Sequence, residues 1–169
     1  MVTASPTVDV VTGLMSTPTD FADLYQRHYA TVYKAALRIT GNPADAEDVL
    51  QTVFLRFLNS GGVRPAQPEA YFRRASANAA VDVLRRRALH ANSPLHEETR
   101  PATRTDVLLK ERLRRALATI EQDDAVLFLL RYVEGLSNGE LAAMFQIEKN
   151  NVAVRLHRIR QALQAQMER

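Results

Sequence analysis

Apolar residues recur along this chain at three- and four-residue steps, and nowhere do they alternate over the length of a strand. Phe21, Leu24, Tyr25, His28, Val32, Ala35 and Ala36 make one such series, which predicts an amphipathic helix from about Asp20 that Gly41-Asn42-Pro43 stops. A cleaner stripe, Ala46, Val49, Leu50, Val53, Phe54, Phe57 and Leu58, predicts a second helix over 43–58 with all of these side chains turned inward. Asn59-Ser60-Gly61-Gly62, with Pro65 and Pro68, then forces a loop, and a third helix is predicted over 68–87, carrying Tyr71, Phe72, Val81 and Leu84. The period disappears over residues 88–105 and returns in helices predicted near 106–119, 123–133, 138–145 and 149–166. Ser137 and Glu140 have capping-box spacing at the start of the third of these.

This pattern predicts an all-α chain of two small helical domains, residues 20–88 and 106–169, joined by a flexible linker over 89–105. The first 19 residues, rich in Thr, Ser, Pro and Val without a helical period, are expected to be a disordered tail. Residues 126–160 read as two short helices with a tight connection followed by a basic helix, the layout of a helix-turn-helix whose last helix enters the DNA major groove. Gln146 stands where such a turn usually has Gly, so its backbone is expected to avoid positive φ.

Charge changes the picture through its distribution. Lys and Arg number 22 against 19 Asp and Glu, a net charge of +3 that does not by itself separate a DNA binder from an average protein. The basic residues cluster at 73–87 and 155–160, and the acids at 45–48 and 121–124, which gives local stripes of one sign. There is no cysteine, hence no disulfide or thiolate metal site. No apolar run reaches the roughly 18 residues of a membrane helix, and the N-terminus has no secretion signal, so a cytoplasmic protein without membrane insertion is expected. His28, His90, His96 and His157 lack metal-ligand spacing, and no phosphate loop or nucleophile elbow occurs. Neither catalysis nor a metal or other cofactor is expected.

Two stretches narrow the helix-turn-helix to one family. NPADAEDVLQTVFLRF (42–57), followed by EAYFRRASANAAVDVLRRR (69–87), resembles the second conserved region of bacterial RNA polymerase sigma factors. DDAVLFLLRYVEGLSNGELAAMF (123–145) resembles their fourth region. Both occur in family order with only a short linker between them, an arrangement similar to the extracytoplasmic-function group. The resemblance implies a protein that binds core RNA polymerase and directs promoter-specific initiation through −10 and −35 elements, with an anti-sigma factor as a further partner. The alternative from the residues alone is a stand-alone helix-turn-helix regulator whose N-terminal bundle dimerises.

Three sets of residues carry the expected contacts. On the second helix, Asp48, Gln51, Thr52 and Leu55 share the face opposite the apolar stripe. By itself that face reads equally as a solvated one whose acids offset the helix dipole; the resemblance implies contact with the clamp helices of the largest polymerase subunit. On the third helix, the resemblance gives Tyr71, Arg74, Asn78, Arg85, Arg86 and Arg87 as −10 contacts, since an opened strand offers stacking faces and base edges. Tyr71 and Phe72 read equally well as core. Ala77 and Val83 stand where relatives carry basic residues, and Arg85-Arg86-Arg87 also suit a helix C-terminus. On the last helix, Lys149, Asn150 and Asn151 are expected to face base edges of the −35 element. Arg155, His157 and Arg158 are placed for bases or phosphates. Val152, Leu156, Ile159 and Leu163 form the inward stripe.

Overall fold

The computed structural model describes residues 18–62, 64–90 and 104–168, and the regular elements among them are all helices. In chain order these are α1 (Pro18–Thr40), α2 (Pro43–Asn59), α3 (Pro68–His90), α4 (Arg104–Thr119), α5 (Gln122–Tyr132), α6 (Asn138–Phe145) and α7 (Lys149–Met167). The expected tail, save its last two residues, and residues 91–103 of the expected linker lie outside the described residues.

Local chemistry sets the helix ends. α1 closes at Gly41, whose N–H donates to the Leu37 carbonyl at 2.9 Å with φ at +69°. A side chain at Gly41 would also strike the Arg114 guanidinium, 2.2 Å from where its Cβ would lie. Asn42 then caps α2, its Oδ1 accepting from the Ala44 and Asp45 N–H groups at 2.8 and 3.2 Å, with Pro43 preset for the first turn. Ser137 and Glu140 cap α6 reciprocally: the Glu140 N–H donates to Ser137 Oγ at 3.2 Å and the Ser137 N–H to Glu140 Oε2 at 2.7 Å. That backbone hydrogen bond holds the Glu140 carboxyl below the ordinary carboxylate range.

α1 to α3 pack around Phe72, which is wholly buried. Its ring lies 5.1 Å from Phe54 and 5.6 Å from Phe57, and His28 stacks on it at 4.9 Å. Ser76, also buried, donates from its hydroxyl to the Val32 carbonyl at 3.0 Å. α4 to α7 form the second unit around Leu117, Leu127, Leu130, Leu141 and Val152, each 0–1% exposed.

These two units are in contact, and α3 is the helix they share. Its buried residues are Phe72, Ser76, Ala77, Ala79, Ala80, Val81, Val83 and Leu84, too many for one stripe. A helix apolar on more than one side is covered on more than one side, and α3 packs against α1, α2, α4 and α5. Arg74, Asn78, Asp82 and Arg85, spaced at four- and three-residue steps, run along the side that meets the second unit.

Gln146 corrects one expectation. It ends α6 in the left-handed conformation, φ 55° and ψ 43°. The cap requires this: the Gln146 N–H donates to the Ala142 carbonyl, and the Ile147 N–H reaches the same oxygen at 3.0 Å. Ile147 is thereby turned against the core. A side chain in that region costs about 1–2 kcal/mol. Part of this is recovered in the unfolded state, which glycine loosens. Gln146→Gly is therefore expected to stabilise the protein by roughly 1 kcal/mol and raise Tm by about 3 °C in a thermal melt. An unchanged or lower Tm would mean that the turn is unstrained.

Candidate polymerase and nucleic-acid interfaces

The α2 set comes together as one face. Asp48, Gln51 and Leu55 are exposed and Thr52 is half-buried, at the three- and four-residue spacing that aligns them along the helix. Leu55 is 57% exposed. Leu58 was expected to turn inward with the stripe, but it is 43% exposed. The reason is helical register: Phe57 takes the inward position in that turn, and Leu58 falls three residues after Leu55 on the outer face. The face is thus more apolar than the sequence suggested. Asp45 is turned away from it, pairing with Arg87 at 3.0 Å.

The α3 set does not share one environment. Tyr71 is 37% exposed, with its ring edge-on to Phe72 at 5.2 Å and near Phe57 at 6.0 Å, so it is half anchored and half presented. Phe72 is core. Ala77 and Val83 are 0% and 5% exposed, which means that a basic residue at either position would be buried. Arg74 donates to the Met144 carbonyl at 2.7 Å and its guanidinium lies 4.3 Å above the Phe145 ring. Arg85 donates to the Ile120 carbonyl at 2.7 Å, capping the end of α4. The carbonyl of Asn78 accepts from Gln122 Nε2 at 3.1 Å. Arg87 turns back to the Thr40 carbonyl at 3.1 Å and to Asp45, while Arg86 is exposed. The three consecutive arginines therefore diverge.

Further contacts fasten the second unit over α3. Arg38 on α1 grips Glu134, in the turn after α5, through two hydrogen bonds of 2.9 and 2.8 Å. The Glu134 side chain is 2% exposed and that of Arg38 49%. The hydrogen bond with Glu134 raises the Arg38 pKa above its ordinary value. Arg114 on α4 donates to the Ile39 carbonyl at 2.9 Å, and its burial lowers its pKa. The periodicity of the sequence gives no sign of these pairs, because each joins residues at least 75 positions apart.

The α7 set splits. Lys149, Asn150, Asn151, His157 and Arg158 are all exposed on the helix that follows the α6 turn. Arg155 is instead tied to the start of α5, donating to Asp124 Oδ1 and lying 3.4 Å from Glu121 Oε2. The inward stripe of Val152, Leu156, Ile159 and Leu163 is buried. α6 and α7, joined by residues 146–148, are the two helices of a helix-turn-helix, and α5 is the helix against which α7 is braced. Among the described residues no group of three or more His, Cys, Asp and Glu could hold a metal ion, and no helix is long and apolar enough to cross a membrane.

Comparison with known proteins accounts for both units. The sigma-70 region 2 model matches residues 24–89, and the sigma-70 region 4 model matches residues 110–163. The chain is 28% identical over 162 residues to the ECF RNA polymerase sigma factor SigE of Mycolicibacterium smegmatis, covering 90% of this chain and 63% of that protein, less than two thirds of its length. It is 33% identical over 147 residues to the RNA polymerase sigma factor CarQ of Myxococcus xanthus, covering 82% of this chain and 83% of CarQ. The ECF sigma factor SigL of Mycobacterium tuberculosis is 30% identical, over 79% of this chain and 81% of SigL. Among solved structures, the sigma factor RpoE in complex with the anti-sigma factor NepR from Bartonella quintana superimposes with a TM-score of 0.52, at 18% identity over 89% of this chain and 98% of that one. CnrH in complex with the cytosolic domain of CnrY gives 0.51 at 21% identity, over 92% of each chain. With two region models matched in order, and relatives that align across both, the chain belongs to the extracytoplasmic-function group of RNA polymerase sigma factors.

Proposed function

We propose that this chain binds core RNA polymerase through the outer face of α2 and delivers the enzyme to promoters read at two separate elements. Asp48, Gln51, Thr52 and Leu55 dock on the clamp helices of the largest subunit, an exposed apolar residue among hydrogen-bonding groups being a composition suited to a protein interface. Residues 20–88 engage the −10 region. There Tyr71 offers an aromatic ring to an unstacked base, Asn78 an amide, and Arg74, Arg85, Arg86 and Arg87 neutralise phosphates. Residues 106–169 hold duplex −35 DNA, with Lys149, Asn150 and Asn151 at base edges and His157 and Arg158 further along the groove. Arg155 contributes chiefly by bracing α7 against α5. Opening of the −10 region is driven by binding energy for the separated strand and uses no nucleotide hydrolysis. The protein works in the cytoplasm, where the polymerase and its template are. It is restrained there by an anti-sigma factor, a reading supported by the partners in the two superimposable structures.

The observation that carries this reading is the outer face of α2. Leu55 and Leu58, exposed at 57% and 43% on one line, give α2 an apolar strip that its own bundle leaves uncovered. The packing of the units adds a step. Arg74 and Arg85 use donors on the Met144 and Ile120 carbonyls, so the second unit must leave α3 before these arginines can meet phosphate. Affinity chromatography with core polymerase tests the proposal: the chain should co-elute with core enzyme, and DNA binding by the assembled complex should fall steeply as salt rises. Failure to co-elute would favour a stand-alone regulator, and salt-insensitive binding would favour a protein partner for the helix-turn-helix.

A further inference from the structure

Val154 is 51% exposed, and among the described residues it is the one large apolar side chain exposed on α7. Its place on the helix is specific. Asn150 and Asn151 lie four and three residues before it, and His157 and Arg158 three and four residues after it. At 3.6 residues per turn, those four spacings put all four polar residues around Val154 on one surface. The buried stripe of Val152, Leu156, Ile159 and Leu163 occupies the other side. Val154 is therefore the centre of the face that α7 turns away from its own domain.

Nothing in the fold calls for valine there. A β-branched residue loses rotamer freedom in a helix, and no core contact repays the loss on an exposed pole. Lys, Gln or Ala would serve a solvated face better. In a major groove the same position meets a surface with one apolar element, the C5-methyl group of thymine, which small aliphatic side chains recognise by contact. We infer that Val154 is a specificity-determining residue that reads a thymine methyl at the middle of the −35 element, with Asn150 and Asn151 bonding the base edges beside it. The inference rests on the proposed −35 role of α7 and adds to it the chemistry of one base. Arg155 takes no part in this readout, since Asp124 and Glu121 hold it at the α5 side of the helix.

The test removes one methyl group at a time. The full chain, assembled with core polymerase, is used to enrich duplexes from a library randomised across the −35 segment. The enriched duplex is then resynthesised with uracil replacing each thymine in turn. One uracil is expected to weaken wild-type binding about three- to four-fold, the value of one methyl-sized apolar contact. Val154→Ser, which replaces the apolar surface by a hydroxyl, should bind thymine and uracil duplexes equally at that position while keeping the helical circular dichroism of the wild type. Enrichment without any uracil-sensitive position, or sensitivity that survives Val154→Ser, overturns the inference and leaves −35 binding intact. No enrichment of any −35 sequence overturns the proposed −35 role itself, and the inference with it.

Discussion

Leu55→Arg is expected to abolish transcription in a reconstituted assay while the protein keeps its fold. Leu55 is 57% exposed and makes no part of the buried core, so its replacement should change stability by no more than about 0.5 kcal/mol. At the centre of a docking face the consequences are different. Loss of the apolar contact and burial of an unpaired guanidinium together cost at least ~2 kcal/mol, which weakens polymerase binding about 30-fold or more. Asp48→Ala should cost less and act more on the association rate, as rim charges do. Competition binding against core polymerase, together with a thermal melt of each variant, measures both effects. If Leu55→Arg binds core polymerase as the wild type does, α2 is not the docking face. If it melts many degrees lower, Leu55 has a structural role that the buried stripe does not reveal.

Arg38→Ala should release the second unit from α3. The Glu134 carboxylate is 2% exposed and takes both of its charge-assisted hydrogen bonds from Arg38. Removing the partner leaves a buried charge without compensation, which costs about 3–5 kcal/mol where both groups are buried. The half-exposed Arg38 side chain reduces this to roughly 2 kcal/mol. The cost falls on the docked arrangement, since separation returns Glu134 to water. A docked-to-separated shift of about 30-fold follows, and with it tighter binding of single-stranded −10 DNA by the free protein, because Arg74 and Arg85 lose their carbonyl acceptors. Arg38→Ala combined with Glu134→Ala should restore much of the docked population, since no carboxylate is then left buried. The distance between labels on α2 and α7, read by energy transfer, follows the shift. An unchanged distance in Arg38→Ala would show that the apolar contacts of α3 with α4 and α5 hold the units together without the ion pair.

Periodicity located α1, α2, α5 and α7 because each buries residues that repeat at helical spacing, and the stops at Gly41-Asn42-Pro43 and the capping box at Ser137 act through neighbouring atoms. The exceptions are informative. The sequence ASANAAV in α3 shows no dominant stripe, and the structure explains this: small residues let helices approach from two sides. Gln146 took the left-handed conformation against its own preference because two N–H groups converge on the Ala142 carbonyl, a demand of the following chain that residue type does not register. Leu58 misled for a different reason. An apolar residue adjacent to the inward Phe57 extends the stripe on paper, yet it points outward in a helix. The surroundings of candidate residues were legible where exposure follows from register, as for Asp48, Leu55, Asn150 and Asn151. They were not legible where a residue's partner is distant in sequence. Arg155, Arg74 and Arg85 are basic residues on helices proposed to meet DNA, and only the tertiary arrangement gives them to Asp124, Met144 and Ile120.

The chain is proposed to convert core RNA polymerase into a promoter-specific enzyme. Run-off transcription measures it most directly, with purified core polymerase and pooled genomic fragments from the same organism. Core enzyme supplemented with the protein is expected to yield discrete transcripts whose start sites share two spaced upstream elements, and core enzyme alone should yield none of them. If the protein binds duplex DNA selectively while the transcripts stay those of core enzyme alone, the account is contradicted and the chain is a stand-alone regulator.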